Sequence, residues 1–274
     1  MIMMPSPNPH VMQRSQGEIR ASYISNKGNT HVEDLFQSGC LKLMMPPGYD
    51  QHLDAIALNT AGGLTGGDHL SYKINVGAGS RVRVASQTAE RLYRSSAGCA
   101  KSELSFCVLG GATLHWLPQE TIIFDRSRFA RNFNVHVEKD AHFFIVELMA
   151  FGRKAMGEEV EAGFFHDRWR IFRDQRLCFA DDLRIDNFSS VHNPAGLDHY
   201  SSCASLLYVA PNVEDHARSI HNYLCQAKIK SGVSGWNSLV YARLLSHDIG
   251  ELRRVVMEIY HQLTQNLPPV VWKL

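Results

Sequence analysis

The sequence predicts a mainly β protein whose last third becomes α/β. Three observations carry this. Between Glu18 and Phe188 apolar residues come in short runs, several of them strictly alternating, as in Leu70-Ser-Tyr72-Lys-Ile74-Asn-Val76. That two-residue period is the signature of a half-buried strand. Turn signals then punctuate the runs: Pro46-Pro47-Gly48, Gly77-Ala-Gly79, Gly110-Gly111, Lys139-Asp140 and Arg173-Asp174. After about Asn193 the apolar spacing changes to three and four residues in two segments, the period of amphipathic helices. Many short strands with regular turns fit a sandwich, a barrel or a solenoid. No fixed-period repeat selects among them.

Taken in order, strands are expected at Glu18–Ser25, Cys40–Met45, Asp54–Leu58, Leu70–Val76, Val82–Ser86, Glu103–Leu109 and Thr113–Trp116. Others follow at Thr121–Phe124, Phe133–Val137, His142–Leu148, Trp169–Arg173, Leu177–Ala180, Ser205–Val209 and Leu239–Leu245. Leu70–Val76 and Val82–Ser86, joined by Gly77-Ala-Gly79, are expected to form a hairpin. Asn212 is the expected N-cap of a first helix with Val213, Ala217, Ile220, Leu224 and Ala227 on one face, stopped at Gly232. Ser246 is expected to cap a second, with Ile249, Leu252, Val256, Ile259 and Leu263 buried, ended by Pro268-Pro269. Both apolar stripes are narrow and backed by charge, so the helices are expected to cover the β core. The resulting divisions are a flexible tail over 1–16, a mainly β body over 17–193, and a strand-helix-strand-helix part over 194–274 packed on the body.

Composition narrows the function. The 274 residues carry a net charge of +1, with 45% hydrophobic and 20% charged residues. That argues against a disordered chain and against a general polyanion binder, so no nucleic-acid partner is expected. No apolar run approaches the ~20 residues that span a bilayer, so no membrane role is expected. Met1–His10 carries three prolines and lacks the basic start and apolar stretch of a signal peptide. The six cysteines include no C-x-x-C pair. Reduced thiols and a cytoplasmic location are therefore expected.

The densest local signal is Ala61-Gly62-Gly63-Leu64-Thr65-Gly66-Gly67-Asp68. A P-loop needs a Lys-Ser/Thr pair and a helix after its last glycine. Here Asp68 and a strand follow, so Gly62, Gly63, Gly66 and Gly67 are assigned to backbone geometry. The fourteen histidines show no H-x-x-x-H pair, and there is no G-x-S-x-G. No tight metal site and no nucleophilic triad are expected. The carboxylates carry more information. Glu147 lies inside Phe143-Phe-Ile-Val-Glu-Leu-Met149, and Glu120 and Asp125 flank Thr121–Phe124. Glu90, Glu158 and Asp68 likewise sit in or beside apolar stretches. A buried carboxylate is costly unless paired or hydrogen-bonded. Arg94, Arg126 and Arg153 are the expected charge partners. Either these are structural ion pairs, or they form an internal polar path able to hold a divalent cation weakly.

Four motifs stand in order: Asn59-Thr-Ala-Gly-Gly-Leu-Thr-Gly-Gly-Asp68, Gln87-Thr-Ala-Glu-Arg-Leu-Tyr-Arg-Ser95, Leu114-His-Trp-Leu-Pro-Gln-Glu-Thr-Ile-Ile-Phe-Asp125, and Glu147-Leu-Met-Ala-Phe-Gly-Arg153 with Met156-Gly-Glu158. Together they resemble the urease accessory protein UreD family, called UreH in some organisms. The likeness runs from about Gly17 to Trp272. It implies a β-helix-like stack of strands and a non-enzymatic chaperone. Such a chaperone docks on apo-urease, binds a UreF-type accessory protein, recruits a UreG-type GTPase through it, and supports nickel delivery. Transient Ni2+ and no tightly bound cofactor are implied. Asp68, Ser86, Gln87, Glu120, Asp125, Glu147 and Glu158 are the polar members of these motifs and the candidates to line an internal nickel passage. The alternatives are a metal-dependent enzyme using the same carboxylates and a purely structural subunit.

Overall fold

The computed structural model describes residues 13–48, 50–153, 156–188, 193–194 and 196–272. The chain opens with β1 (Gln16–Asn26), β2 (Asn29–Gly39) and β3 (Leu41–Met44). Next come β4 (Leu53–Asn59), β5 (His69–Val76), β6 (Arg81–Ser86), β7 (Glu90–Leu92), β8 (Ala100–Val108), β9 (Thr113–Leu117) and β10 (Thr121–Ile123). β11 (Arg128–Val137), β12 (His142–Phe151), β13 (Phe164–Arg173), β14 (Arg176–Ile185) and β15 (Ser202–Val209) follow. The end consists of α1 (His216–Ala227), β16 (Lys230–Trp236), β17 (Leu239–Ser246) and α2 (Ile249–Thr264).

These strands make two sheets. The first runs β14-β13-β11-β8-β5-β1-β2 and the second β16-β17-β15-β12-β9-β6-β4-β3. From β4 to β13 the main strands alternate between the sheets, and neighbours within each sheet are parallel. β7 and β10 stack in parallel as a narrow extra row. This is a solenoid-like stack, as the family resemblance implies. Successive turns of the coil in the first sheet begin at His69, Ala100, Arg128 and Phe164. Those unequal intervals are why no fixed repeat shows in the sequence.

The expected hairpin at residues 70–86 is not formed. β5 belongs to the first sheet and β6 to the second. The chain crosses between them at a turn where Gly77 N donates to Tyr23 O and Gly79 N donates to Gly110 O. Alternation tells which face of a strand is apolar and not which strand lies beside it. Leu70, Tyr72, Ile74 and Val76 meet Val82 and Val84 from across the interior, not along a shared ladder. β2 and β16 are polar edge strands that sequence pattern passes over, and β7 has only three residues.

Two cores result. One fills the space between the sheets, where Phe106, Trp116, Phe133, Phe143 and Trp169 pack together. The other lies between the outer face of the second sheet and the two helices, with Phe144, Leu206 and Val240 against Ile220, Leu252, Val256 and Ile259. β12 and β15 are thus covered on both faces, which explains their near-continuous apolar runs. The helix starts differ from expectation. Asn212 has φ 53° and sits in the turn before α1, whose N-cap is Asp215. Gly232 lies within β16, and α1 ends at left-handed Lys228. In α2 the cap is Asp248, which accepts from Gly250 N, while Ser246 Oγ accepts from Asp248 N. The expected tail over 1–16 lies largely outside the described residues. Among those described, no helix is long and apolar enough to cross a membrane.

Candidate functional site between the sheets

The alternation of β11 turns Phe129, Arg131, Phe133, Val135 and Val137 inward, and β13 turns Phe165, Asp167, Trp169 and Ile171 inward. Each strand thereby places one charged residue in an otherwise apolar row. The two residues are register partners, and Arg131 Nε and Nη2 donate to Asp167 Oδ1 and Oδ2 at 3.0 and 2.8 Å. From the second sheet, β12 turns Glu147 into the same space, where it is only 1% exposed. Its Oε1 accepts from Trp116 Nε1 at 2.9 Å, and its Oε2 lies 2.5 Å from Arg131 Nη1. That second oxygen has no donor aligned on it as a hydrogen bond. Burial works against the Arg131 charge, and Asp167 with Glu147 more than offsets it. Loss of water drives the Glu147 carboxyl upward, with Arg131 opposing.

Trp116, Arg131 and Glu147 line a cavity of about 70 Å³ together with Ser86, Glu90, Gln119 and Thr121. Glu90 stands beside the glycine loop, where both of its oxygens accept from Asn59 Nδ2 at 3.1 Å. Desolvation raises its carboxyl to about 7, against the lowering effect of Asn59. On the far side, Ser205 is the register partner of both Glu147 and Arg243. Arg243 Nε donates to Ser205 Oγ at 3.2 Å, and Arg243 Nη2 donates to Asp181 Oδ2 at 2.5 Å. A polar row therefore runs between the sheets from Glu90 to Asp181 through an aromatic core.

Of the motif residues, Ser86 and Glu147 line the cavity. Ser86 Oγ accepts from Gln119 N and donates to Thr88 O. Asp68 closes the glycine loop, its oxygens accepting from Ser15 N and Thr65 N at 2.8 Å. Within that loop Gly63 has φ 149°, and a Cβ there would lie 2.7 Å from Arg91 O. At Gly66 a Cβ would lie 2.2 Å from Ala97 O. Glu120 pairs with Arg253 on α2, away from the cavity. Asp125 accepts from Glu161 N and Ala162 N, and Glu158 pairs with Arg153 at 2.8 Å, so these acids organise the loop after β12. Gln87 is exposed beside an apolar groove formed with Met44–Pro47 and Pro269–Val271. Arg94 is exposed, and its carbonyl accepts from Thr65 Oγ1. The cation facing Glu147 is Arg131, and neither Arg94, Arg126 nor Arg153 meets it.

Arg131 and Asp167 escape the sequence reading because it starts their strands too late, at Phe133 and Trp169. Extending each strand two residues back along its alternation puts a charge on the inward face, which is the signal that finds them. Among the described residues, no group of three or more His, Cys, Asp or Glu side chains converges as a metal cage.

The sequence model of a family described as UreD urease accessory protein matches residues 15–273. The chain is 37% identical over 265 residues to the urease accessory protein UreD of Rhizobium leguminosarum bv. viciae, covering 96% of each. It is 37% identical over 262 residues to that of Xanthobacter autotrophicus, covering 95% of this chain and 90% of the relative. With that of Agrobacterium fabrum the identity is 34% over 269 residues, covering 97% and 94%. With the match spanning both sheets and both helices, the chain belongs to the UreD urease accessory protein family.

Proposed function

We propose that this chain serves urease maturation as a cytoplasmic, non-enzymatic scaffold that conducts nickel through its interior. In this reading it docks on apo-urease and on a UreF-type protein, which brings the UreG-type GTPase. The single observation that carries the conduction step is the acidic row between the sheets, with Glu90 and Glu147 facing one narrow cavity. Oxygen donors suit transport because they hold a borderline divalent cation less firmly than imidazole or thiolate. Nickel is cargo here, and no resident metal is invoked. Asp68, Asp125 and Glu158 hold backbone in place, and Glu120 anchors α2.

The test is co-expression with a urease operon lacking its own copy of this subunit. Glu90→Gln with Glu147→Gln should lower urease activity at least about tenfold, while urease and accessory proteins still co-purify. Both substitutions keep an acceptor oxygen and remove a charge. Full urease activity from the double variant would refute conduction through this cavity. Loss of co-purification together with activity would point to a docking role instead.

A further inference from the structure

Deepening the conduction reading on which it rests, we propose that Arg131 is the release determinant of the passage: its guanidinium competes with a divalent cation for Glu147, and so keeps the interior acids from trapping the ion.

Two carboxyls, those of Glu90 and Glu147, face the cavity beside Arg131, which Asp167 holds by its fork. Hard divalent cations are held by clustered oxygen ligands, and a narrow, water-poor cavity strengthens such attraction. Unopposed, the acids would form a trap. Glu147 shows how it is kept open. Trp116 fixes Oε1, leaving Oε2 buried, turned to Arg131 and without an aligned donor. An incoming cation can take that oxygen in place of Nη1. The exchange leaves the Asp167 fork intact, because the fork uses Nε and Nη2. Arg131 therefore need not leave its strand or its main partner to yield the site. It stays beside the ion as a fixed positive charge, held between Phe129 and Phe133 at 6.0 and 5.5 Å from their ring centres. Its repulsion weakens the bound state, and its return to Oε2 completes release.

The experiment measures Ni2+ binding to the full purified chain by equilibrium dialysis, with the metal alone as probe, and Ni2+ loss to a chelator by stopped flow. Arg131→Met should bind Ni2+ at least about tenfold tighter than wild type and release it correspondingly more slowly, since a unit charge some 5 Å from a divalent ion is worth that much even in water. Asp167→Asn keeps an acceptor for the fork and frees the guanidinium for Glu147, so it should bind about tenfold more weakly. Mere structural damage does not tighten binding. Unchanged or weaker affinity in folded Arg131→Met overturns the inference. Where Arg131→Met does not fold, an unchanged affinity in Asp167→Asn overturns it. The two ideas fail separately: conduction fails if the Glu90/Glu147 double variant still activates urease, whereas the Arg131 role fails if affinity does not shift even though that variant is inactive.

Discussion

Two arginines in this chain are buried between acids, and they are bonded in different ways. Arg83 sits on the helix-covered side of the second sheet, beside its register partner Asp54. Its Nε, Nη1 and Nη2 make five hydrogen bonds, to both oxygens of Asp54, both oxygens of Asp50 and Leu267 O. A guanidinium has five N–H groups, so none remains. The cluster ties the segment after α2 to the sheet, and Trp272 Nε1 donating to Leu117 O and Gln119 Nε2 donating to Val271 O extend the tie. Arg131 faces the other side of that sheet, satisfies Asp167, and meets Glu147 beside a cavity in an ion pair whose carboxylate oxygen has no aligned hydrogen-bond donor. Similar residue types make a fully bonded clamp in one place and an ion pair beside a cavity in the other. The difference is whether every donor and acceptor is spent, and whether space is left beside them.

The largest effect should come from breaking the clamp. Arg83→Met leaves Asp54 buried without its partner and should lower unfolding free energy by about 3–5 kcal/mol in denaturant titration. A loss under about 1 kcal/mol would erase the distinction between the two clusters. A smaller effect sharpens the other side. The Glu90 carboxyl, raised from 4.5 to about 7, keeps in the folded chain a proton that the unfolded chain has released between those values. Stability therefore falls as pH rises through that window. Glu90→Gln should relieve this, raising stability by about 1–3 kcal/mol at pH 8 and by little at pH 4.5. An equal shift at both pH values in thermal melts would show that the Glu90 charge is not strained. The smallest effect concerns the helix over the clamp. Asp248→Ala removes the N-terminal side-chain cap bond of α2 and should cost about 1 kcal/mol by the same melts.

How much was legible depended on whether a feature lives within one strand or between strands. The inward faces of β1 and β5 follow from alternation, and the apolar stripe of α2 from its three-and-four spacing, with Tyr260 and Val255 added to the buried set. Glu147 stands out because an acid in Phe143–Met149 has no local means of being satisfied. Its partner was not legible, because Arg131 comes from the opposite sheet and reaches it only when the coil closes. Glu120 and Asp125 look alike in sequence, flanking one short strand, yet one pairs with α2 and the other fixes a loop. Nothing local distinguishes them, since a three-residue strand leaves both ends free to turn either way.

The sequence by itself determined the β body, the two covering helices, the glycine loop and the family, because each is written in short-range period or in ordered motifs. Tertiary structure alone decided that β5 and β6 part into different sheets, that one arginine clamps while another borders a cavity, and which of seven motif residues face it. Those outcomes depend on contacts between residues far apart in the chain. Side-chain period specifies which way a residue points, and only the stacking of the coil specifies what it meets.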